Sequence, residues 1–167
     1  WYDLRGFCIL TLSYQATLWQ QAAFFSRQIR ERHLEVAIGT GTLFEMVLWW
    51  RRLLGRPNAR IDAMDYSDMM LSGAKRSFAS WKNVRIYQGD VTRLDADDGA
   101  FDSVSIANAF HCFADPAAAL REIRRVLSPG GTLAMNVLLH PRGFRPLRRI
   151  AERINAWGIR KGILVRP

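Results

Sequence analysis

At 167 residues with 49% apolar side chains, the chain is long enough for one domain with a real core and too apolar for disorder. Cys8 and Cys112 are too few for a disulfide framework, no Cys/His cluster has zinc spacing, and no apolar run reaches membrane-spanning length. The net charge of +9 is uneven: from Arg142 to Arg166 eight basic residues face Glu152 alone, which places +7 there and +2 in the rest.

The N-terminus lacks the basic-then-apolar order of a signal peptide, and a reducing cytoplasm is the expected compartment. Trp1 is not a start methionine, so a longer natural product is expected. Residues 1–32 read as helical. Leu12, Leu18, Ala22, Phe25 and Ile29 recur at helical intervals, with Gln20, Gln21, Arg27 and Arg30 on other faces.

The chain then turns on Leu34 to Met46. Leu34, Val36 and Ile38 form a strand-like run, Gly39-Thr40-Gly41 a turn, and the composition is helical from Thr42. Glu35 is an acid in a run that otherwise favours burial. A strand leaving a glycine turn as a helix sets backbone N–H groups and a helix N-terminus against a ligand. The dinucleotide pattern G-x-G-x-x-G fails at its third glycine, where Phe44 stands. Glu35-Val36-Ala37-Ile38-Gly39-Thr40-Gly41 instead resembles the acidic-x-G-x-G-x-G motif of class I S-adenosylmethionine-dependent methyltransferases, with Ala37 in place of the first glycine. The plain alternative is a tight strand-to-helix turn without a ligand.

Thr42 to Leu54 is almost wholly apolar. Its adjacent Trp49 and Trp50 cannot both face one sheet, so one is expected in a protein contact. Gly55-Arg56-Pro57-Asn58 ends that helix, and Arg60 to Met64 reads as a second strand ending in Asp65. Asp65 lies 24 residues after Gly41, near the offset of about 20 at which nucleotide folds put an acid on ribose hydroxyls. Asp65-Tyr66-Ser67-Asp68-Met69-Met70-Leu71 resembles the methyltransferase sequence D-x-S-x-x-M-L. Ser67 or Asp68 caps the next helix. Asp65 as a mere cap is the alternative.

Asn83 to Gln88 makes a third strand, followed by Gly89-Asp90-Val91. The resemblance implies that Asp90 accepts from the adenine amino group and that the Val91 backbone serves a ring nitrogen. Asp95, Asp97 and Asp98 form a solvated acidic loop, with no metal site expected. Phe101 to Ile106 is the fourth strand, leading to Asn108 and His111 where doubly wound sheets place their chemistry. These two are the catalytic candidates. His111 either orients a substrate, takes a proton, or is satisfied by local backbone. Asp115-Pro116 opens a helix with Arg121, Arg124 and Arg125 outward, stopped by Ser128-Pro129-Gly130-Gly131. Leu133 to Leu139 is the fifth strand. The run from Leu120 to Gly131 resembles a further family signature, L-x-E-x-x-R-V-L-K-P-G-G.

Alternating strands and helices predict an α/β, doubly wound, mostly parallel sheet. The resemblance implies strand order 3-2-1-4-5, without the sixth strand and antiparallel seventh of the full fold. Three segments follow: a helical segment at 1–32, a Rossmann-like cofactor-binding core at 33–140, and a basic amphipathic segment at 141–167, expected to be truncated. The resemblance implies S-adenosylmethionine as cofactor and S-adenosylhomocysteine as product. The expected binding set is Glu35, Ala37, Gly39, Thr40, Gly41, Asp65, Tyr66, Met70, Asp90, Val91 and Asn108, with the N-terminal helix as a lid or as simple packing. It implies attack by an acceptor on the sulfonium methyl, a small-molecule or lipid-like acceptor being favoured. An RNA methyltransferase and a non-catalytic cofactor-binding or interaction domain are the alternatives. The last strand is expected to be an uncovered edge that a longer product or a homodimer covers. The 141–167 helix is either a solvated face or a peripheral contact with an anionic membrane.

Overall fold

The computed structural model describes residues 17–137 and the single positions 149, 153 and 156. The elements run α1 (Leu18–Gln28), β1 (Arg32–Val36), α2 (Thr42–Leu53), β2 (Arg60–Asp65), α3 (Asp68–Ser77), β3 (Val84–Gln88), β4 (Phe101–Ile106), a single 3-10 turn (Phe110–Cys112), α4 (Pro116–Val126) and β5 (Leu127–Met135). Among the described residues the sheet strands all pair in parallel, in the order β3-β2-β1-β4-β5. The expected sheet order is therefore the observed one.

The helices start where local chemistry satisfies their first N–H groups. Thr17 and Gln20 form a reciprocal capping box on α1. Ser67 caps α3, and Asp115, followed by Pro116, caps α4. α2 differs: its N-cap is Gly41, which has no side chain to offer.

Strand alternation sorts the core into two layers. Leu34, Val36, Val104 and Ile106 pack with Ile123 and Val126 of α4. On the opposite face, Phe25 of α1 and Phe44, Val47 and Leu48 of α2 pack over Ile61 and Ala63. The cofactor-type loop leaves β1 between these layers.

Several boundaries differ from expectation, each for a local reason. α1 ends at Gln28, because Ile29 is already extended, and Arg32 opens β1. Residues 1–16 lie outside the described residues. β1 stops at Val36, because Ala37 turns to φ 58. β5 begins at Leu127, six residues early, directly from α4. The Ser128–Gly131 stretch is a bulge inside it, where pairing jumps from Phe101–Leu127 to Ser103–Thr132. Arg125 does not point outward. It binds Glu122, Asp98 and the carbonyls of Leu94 and Ala96, and so fastens the acidic loop. Gln21, placed on an outer face by pattern, is buried.

Among the described residues β5 is a sheet edge, and no helix is long and apolar enough to cross a membrane. Leu138, Leu139 and most of 141–167 lie outside the described residues. Arg149, Arg153 and Ala156 are helical and exposed.

Candidate cofactor site

The loop after β1 is built by two glycines with different tasks. A Cβ on Gly41 would stand 2.7 Å from the Phe78 ring and 3.4 Å from Ala74, so this glycine lets the loop press on α3. A Cβ on Gly39 would meet nothing within 4 Å, so that stretch of backbone faces open space. Both have positive φ, 85 and 59, which glycine adopts freely. Ala37 holds φ 58 without that freedom, a strain of about 1–2 kcal/mol that the surrounding loop sustains. The substitution seen in sequence thus leaves the backbone path of a glycine in place.

Asp65 closes the loop from the next strand. Its Oδ2 accepts the Gly39 N–H at 2.8 Å and its Oδ1 accepts the Ser67 N–H at 2.9 Å. A carboxylate has about four acceptor sites, so two lone pairs remain for a ligand. The Gly89 N–H donates to the Asp65 carbonyl, which brings the end of β3 alongside. The neighbouring Asp90 uses Oδ1 to accept from the Thr92 N–H and hydroxyl, both at 2.8 Å. Those bonds lower its pKa and keep it ionised, with Oδ2 left for another donor. Gly39, Asp65 and Asp90 therefore stand together at the carboxyl ends of β1, β2 and β3.

The other expected residues divide. Thr40 meets Thr42 hydroxyl to hydroxyl at 3.2 Å. Tyr66 is exposed, with its carbonyl tied to Gln88, and Met70 is half-buried on α3. Val91 packs against the α4-side core. Glu35 is not brought to the loop mouth. Its side chain is buried one layer below, accepting from Ser105 and standing 3.6 Å from His33. Burial raises its pKa to about 8 despite the Ser105 bond.

Beneath the loop, Glu35 ends a chain of buried hydrogen bonds. The Arg30 N–H donates to Ser103 Oγ at 2.9 Å. Ser103 Oγ meets His33 Nδ1 at 2.8 Å, and His33 Nε2 meets Ser105 Oγ at 2.9 Å. With Ser105 donating to Glu35, the one consistent assignment is a neutral His33 protonated on Nε2. Burial first, and then the Arg51 charge, depress its pKa to about 3.

Asn108 also has an unexpected setting. It sits at φ 57 and donates through Nδ2 to Gln21 Oε1 at 2.7 Å. Asn136 closes the triangle. Its Nδ2 donates to Asn108 Oδ1 at 2.7 Å and to Gln21 Oε1 at 3.1 Å, while its Oδ1 accepts the Asn108 N–H. Three residues on, His111 keeps Nδ1 buried without a hydrogen bond, so the expected backbone partner is absent for that atom. Burial lowers its pKa and leaves it neutral near pH 7.

Gln21 and Asn136 were not singled out in the sequence. Gln21 was findable: Leu18, Gln21, Ala22 and Phe25 share an i, i+3, i+4, i+7 face. Nothing in the pattern marked Asn136. No group of three metal-ligating side chains converges among the described residues.

The segment that carries this loop is matched beyond this chain. A family model described as a methyltransferase domain covers residues 34–135. This chain belongs to that methyltransferase domain family. Demethylmenaquinone methyltransferase of Thermus thermophilus is 41% identical over 106 residues, which are 63% of this chain and 46% of that protein. The enzyme of the same name from Staphylococcus aureus is 31% identical over 119 residues, 70% and 48% of the respective chains. Among solved structures, one assigned as an S-adenosyl-L-methionine-dependent methyltransferase of Methanococcus maripaludis superposes with TM-score 0.61. It is 25% identical and covers 84% of this chain and 62% of that one. The chain thus spans about half the length of the curated relatives it matches.

The geometry fits the cofactor of this family. α2 starts without a side-chain cap, so its first-turn N–H groups suit a carboxylate. The open backbone at Gly39, the remaining Asp65 lone pairs and the free Asp90 oxygen suit, in turn, close ligand approach, a cis-diol and an amino group.

Proposed function

We propose that this methyltransferase domain binds S-adenosylmethionine at the Gly39–Asp65–Asp90 mouth and serves methyl transfer to a small, lipid-like acceptor of the quinone-precursor class. The observation that carries the reading is the Asp65–Gly39 clasp. It joins two strand ends 26 residues apart and leaves the outer lone pairs of Asp65 turned to ligand chemistry. The names of the two curated relatives support the acceptor class.

When bound, the cofactor supplies a methyl group already activated on a sulfonium. The protein's own task is orientation, which is worth roughly 7–11 kcal/mol when reacting atoms are held in line. The α2 N-terminus and Gly39 hold one end, Asp65 and Asp90 the other. Asn108, fixed by Gln21 and Asn136, shapes the adjoining strand ends. In this reading His111, neutral and with Nδ1 buried and unbonded, is the group that takes a proton or a hydrogen bond once the acceptor reaches that nitrogen. Two further contacts belong to this reading. The exposed Arg149 and Arg153 support an anionic-membrane contact of the C-terminal helix, and the β5 edge supports a covering strand or second copy.

Calorimetry with S-adenosylhomocysteine tests the cofactor site. Asp65→Ala is expected to weaken binding by about 1.5–3 kcal/mol, the range for hydrogen bonds to a charged group. An unchanged dissociation constant would remove Asp65 from the site, and tighter binding of NADH would overturn the cofactor.

A further inference from the structure

The face of a sheet-flanking helix that points away from the sheet is ordinarily polar. α2 breaks that rule. Phe44, Val47, Leu48 and Arg51 are buried on its inner side, while Trp49 is 56% exposed and Leu53 77%. Trp49, Trp50 and Leu53 share one outer face by helical spacing, and Leu54, just beyond the helix, is 48% exposed.

The strip continues onto α1. Trp19, 62% exposed, packs on Trp50 with ring centroids 5.9 Å apart. Trp19 lies two residues from Gln21, which is bonded to Asn108 and Asn136 at the carboxyl ends of β4 and β5. Leu53 and Leu54 lie at the far end of α2, beside the start of β2. The apolar strip therefore runs along one flank, from the mouth end of the sheet to the opposite end.

Glu45 opens this outer face one turn before Trp49, and beyond it the charge has one sign. Between Glu45 and Asp62 no acidic residue occurs, while Arg51, Arg52, Arg56 and Arg60 do. Arg51 is buried and holds the carbonyls of Ser26, Ile29 and Pro57. The other three are exposed. Arg52 lies over Trp49 and Trp81, at 5.3 and 4.0 Å from the ring centroids, which sets a cation among the aromatics. Residues 17–137 carry only +2 in total, so this local excess is an arrangement and not a reflection of bulk charge.

We propose that the α1–α2 flank docks on an anionic phospholipid bilayer. Tryptophan and leucine seat at the boundary of headgroup and acyl chain, and the flanking arginines meet the negative leaflet. The chemistry favours a lipid surface over an acidic protein. Leu53 and Leu54 project into solvent beside arginines from a helix end, an apolar tip ringed by cations that matches an anionic headgroup layer over acyl chains. A flank-on pose sets the sheet's carboxyl ends level with the bilayer surface and leaves the mouth open to water. The proposal does not depend on methyl transfer.

The test is sedimentation of the full chain with vesicles of phosphatidylcholine alone and of phosphatidylcholine with phosphatidylglycerol. Binding is expected only to the anionic vesicles and is expected to fall as salt rises. Leu53→Asp with Leu54→Asp is expected to lower partitioning by about tenfold or more. Each of Arg52→Gln, Arg56→Gln and Arg60→Gln is expected to lower it about fivefold. S-adenosylhomocysteine affinity, read on the same variants, is expected to stay at the parent value, because these side chains are exposed and remote from Asp65. Melting temperature is expected to hold in Arg56→Gln and Arg60→Gln, which lack the stacking of Arg52 on Trp81. Failure of the cofactor reading would leave vesicle binding intact, so the two fail separately. Vesicle binding unchanged in the double leucine variant would overturn the proposal. So would equal retention by soluble heparin or RNA without lipid.

Discussion

Two polar networks cross the β1–β4 side of the sheet, and they are made of different chemistry. The inner one, Ser103–His33–Ser105–Glu35, is buried and contains two groups that titrate. The outer one, Gln21–Asn108–Asn136, joins α1 to the ends of β4 and β5 with amides alone. The inner network makes stability depend on pH. The outer one holds the mouth in the same shape at any pH where the protein is folded. A site that must present one geometry is thus framed by groups that cannot change charge, with the titrating pair one layer down.

Removing the centre of the inner network should have the largest effect. His33→Ala takes one hydrogen bond from each serine, leaving Ser103 only the Arg30 N–H and Ser105 only Glu35, and opens a void beside Phe44, whose ring stacks on the imidazole at 5.9 Å. The expected loss is about 3–4 kcal/mol, from a cavity plus the two lost hydrogen bonds. Denaturant midpoints at constant m would show it, and a loss under about 1 kcal/mol would mean that the chain of bonds contributes little.

The second effect is a pH profile with two limbs. His33 has a folded pKa of about 3 against 6.5 for the free group. Between those values the unfolded chain binds the extra proton, and stability rises with pH. Glu35 has a folded pKa of about 8 against 4.5, so between those values the folded chain binds the extra proton and stability falls with pH. From pH 4.5 to 6.5 the two slopes cancel. From pH 6.5 to 8 only Glu35 acts, and about 2 kcal/mol is expected to be lost. Glu35→Gln should flatten that alkaline limb relative to the parent chain. An alkaline limb of equal slope in both proteins would place the titration elsewhere.

The outer network supplies the smallest effect and the contrast. Asn136→Ala removes the acceptor for the Asn108 N–H and is expected to cost about 1–2 kcal/mol. The difference from the parent should be the same at pH 5, 6.5 and 8. A difference that grows with pH would tie the amides to the titrating pair.

Much of this architecture was legible in the sequence because short-range rules produced it. The glycine turn, the Ser67 and Asp115 caps and the strand alternation each follow from neighbours a few residues apart. Asp65 was legible because its offset from Gly41 is set by one helix and one strand. What remained hidden was long-range and polar. Glu35 looked like a ligand residue, but its side chain turns to Ser105, 70 residues away. Asn136 fell inside the predicted fifth strand, Leu133 to Leu139, but lies just past the observed β5, and its role exists only once β4 and β5 lie side by side. The bulge at Ser128–Gly131 was read as a stop, since a Pro-Gly-Gly run ends helices and the same run also interrupts a strand pairing.

The unequal roles of the two loop ends bear on how such sequences drift. Position 37 tolerates a methyl group at a fixed energetic cost, so lineages can lose the first glycine and keep the loop. Position 41 has no such latitude: any side chain there collides with Phe78. A relative that carries alanine at position 41 should therefore carry a smaller residue at position 78. The pair is expected to change together, although 37 positions of chain separate the two residues.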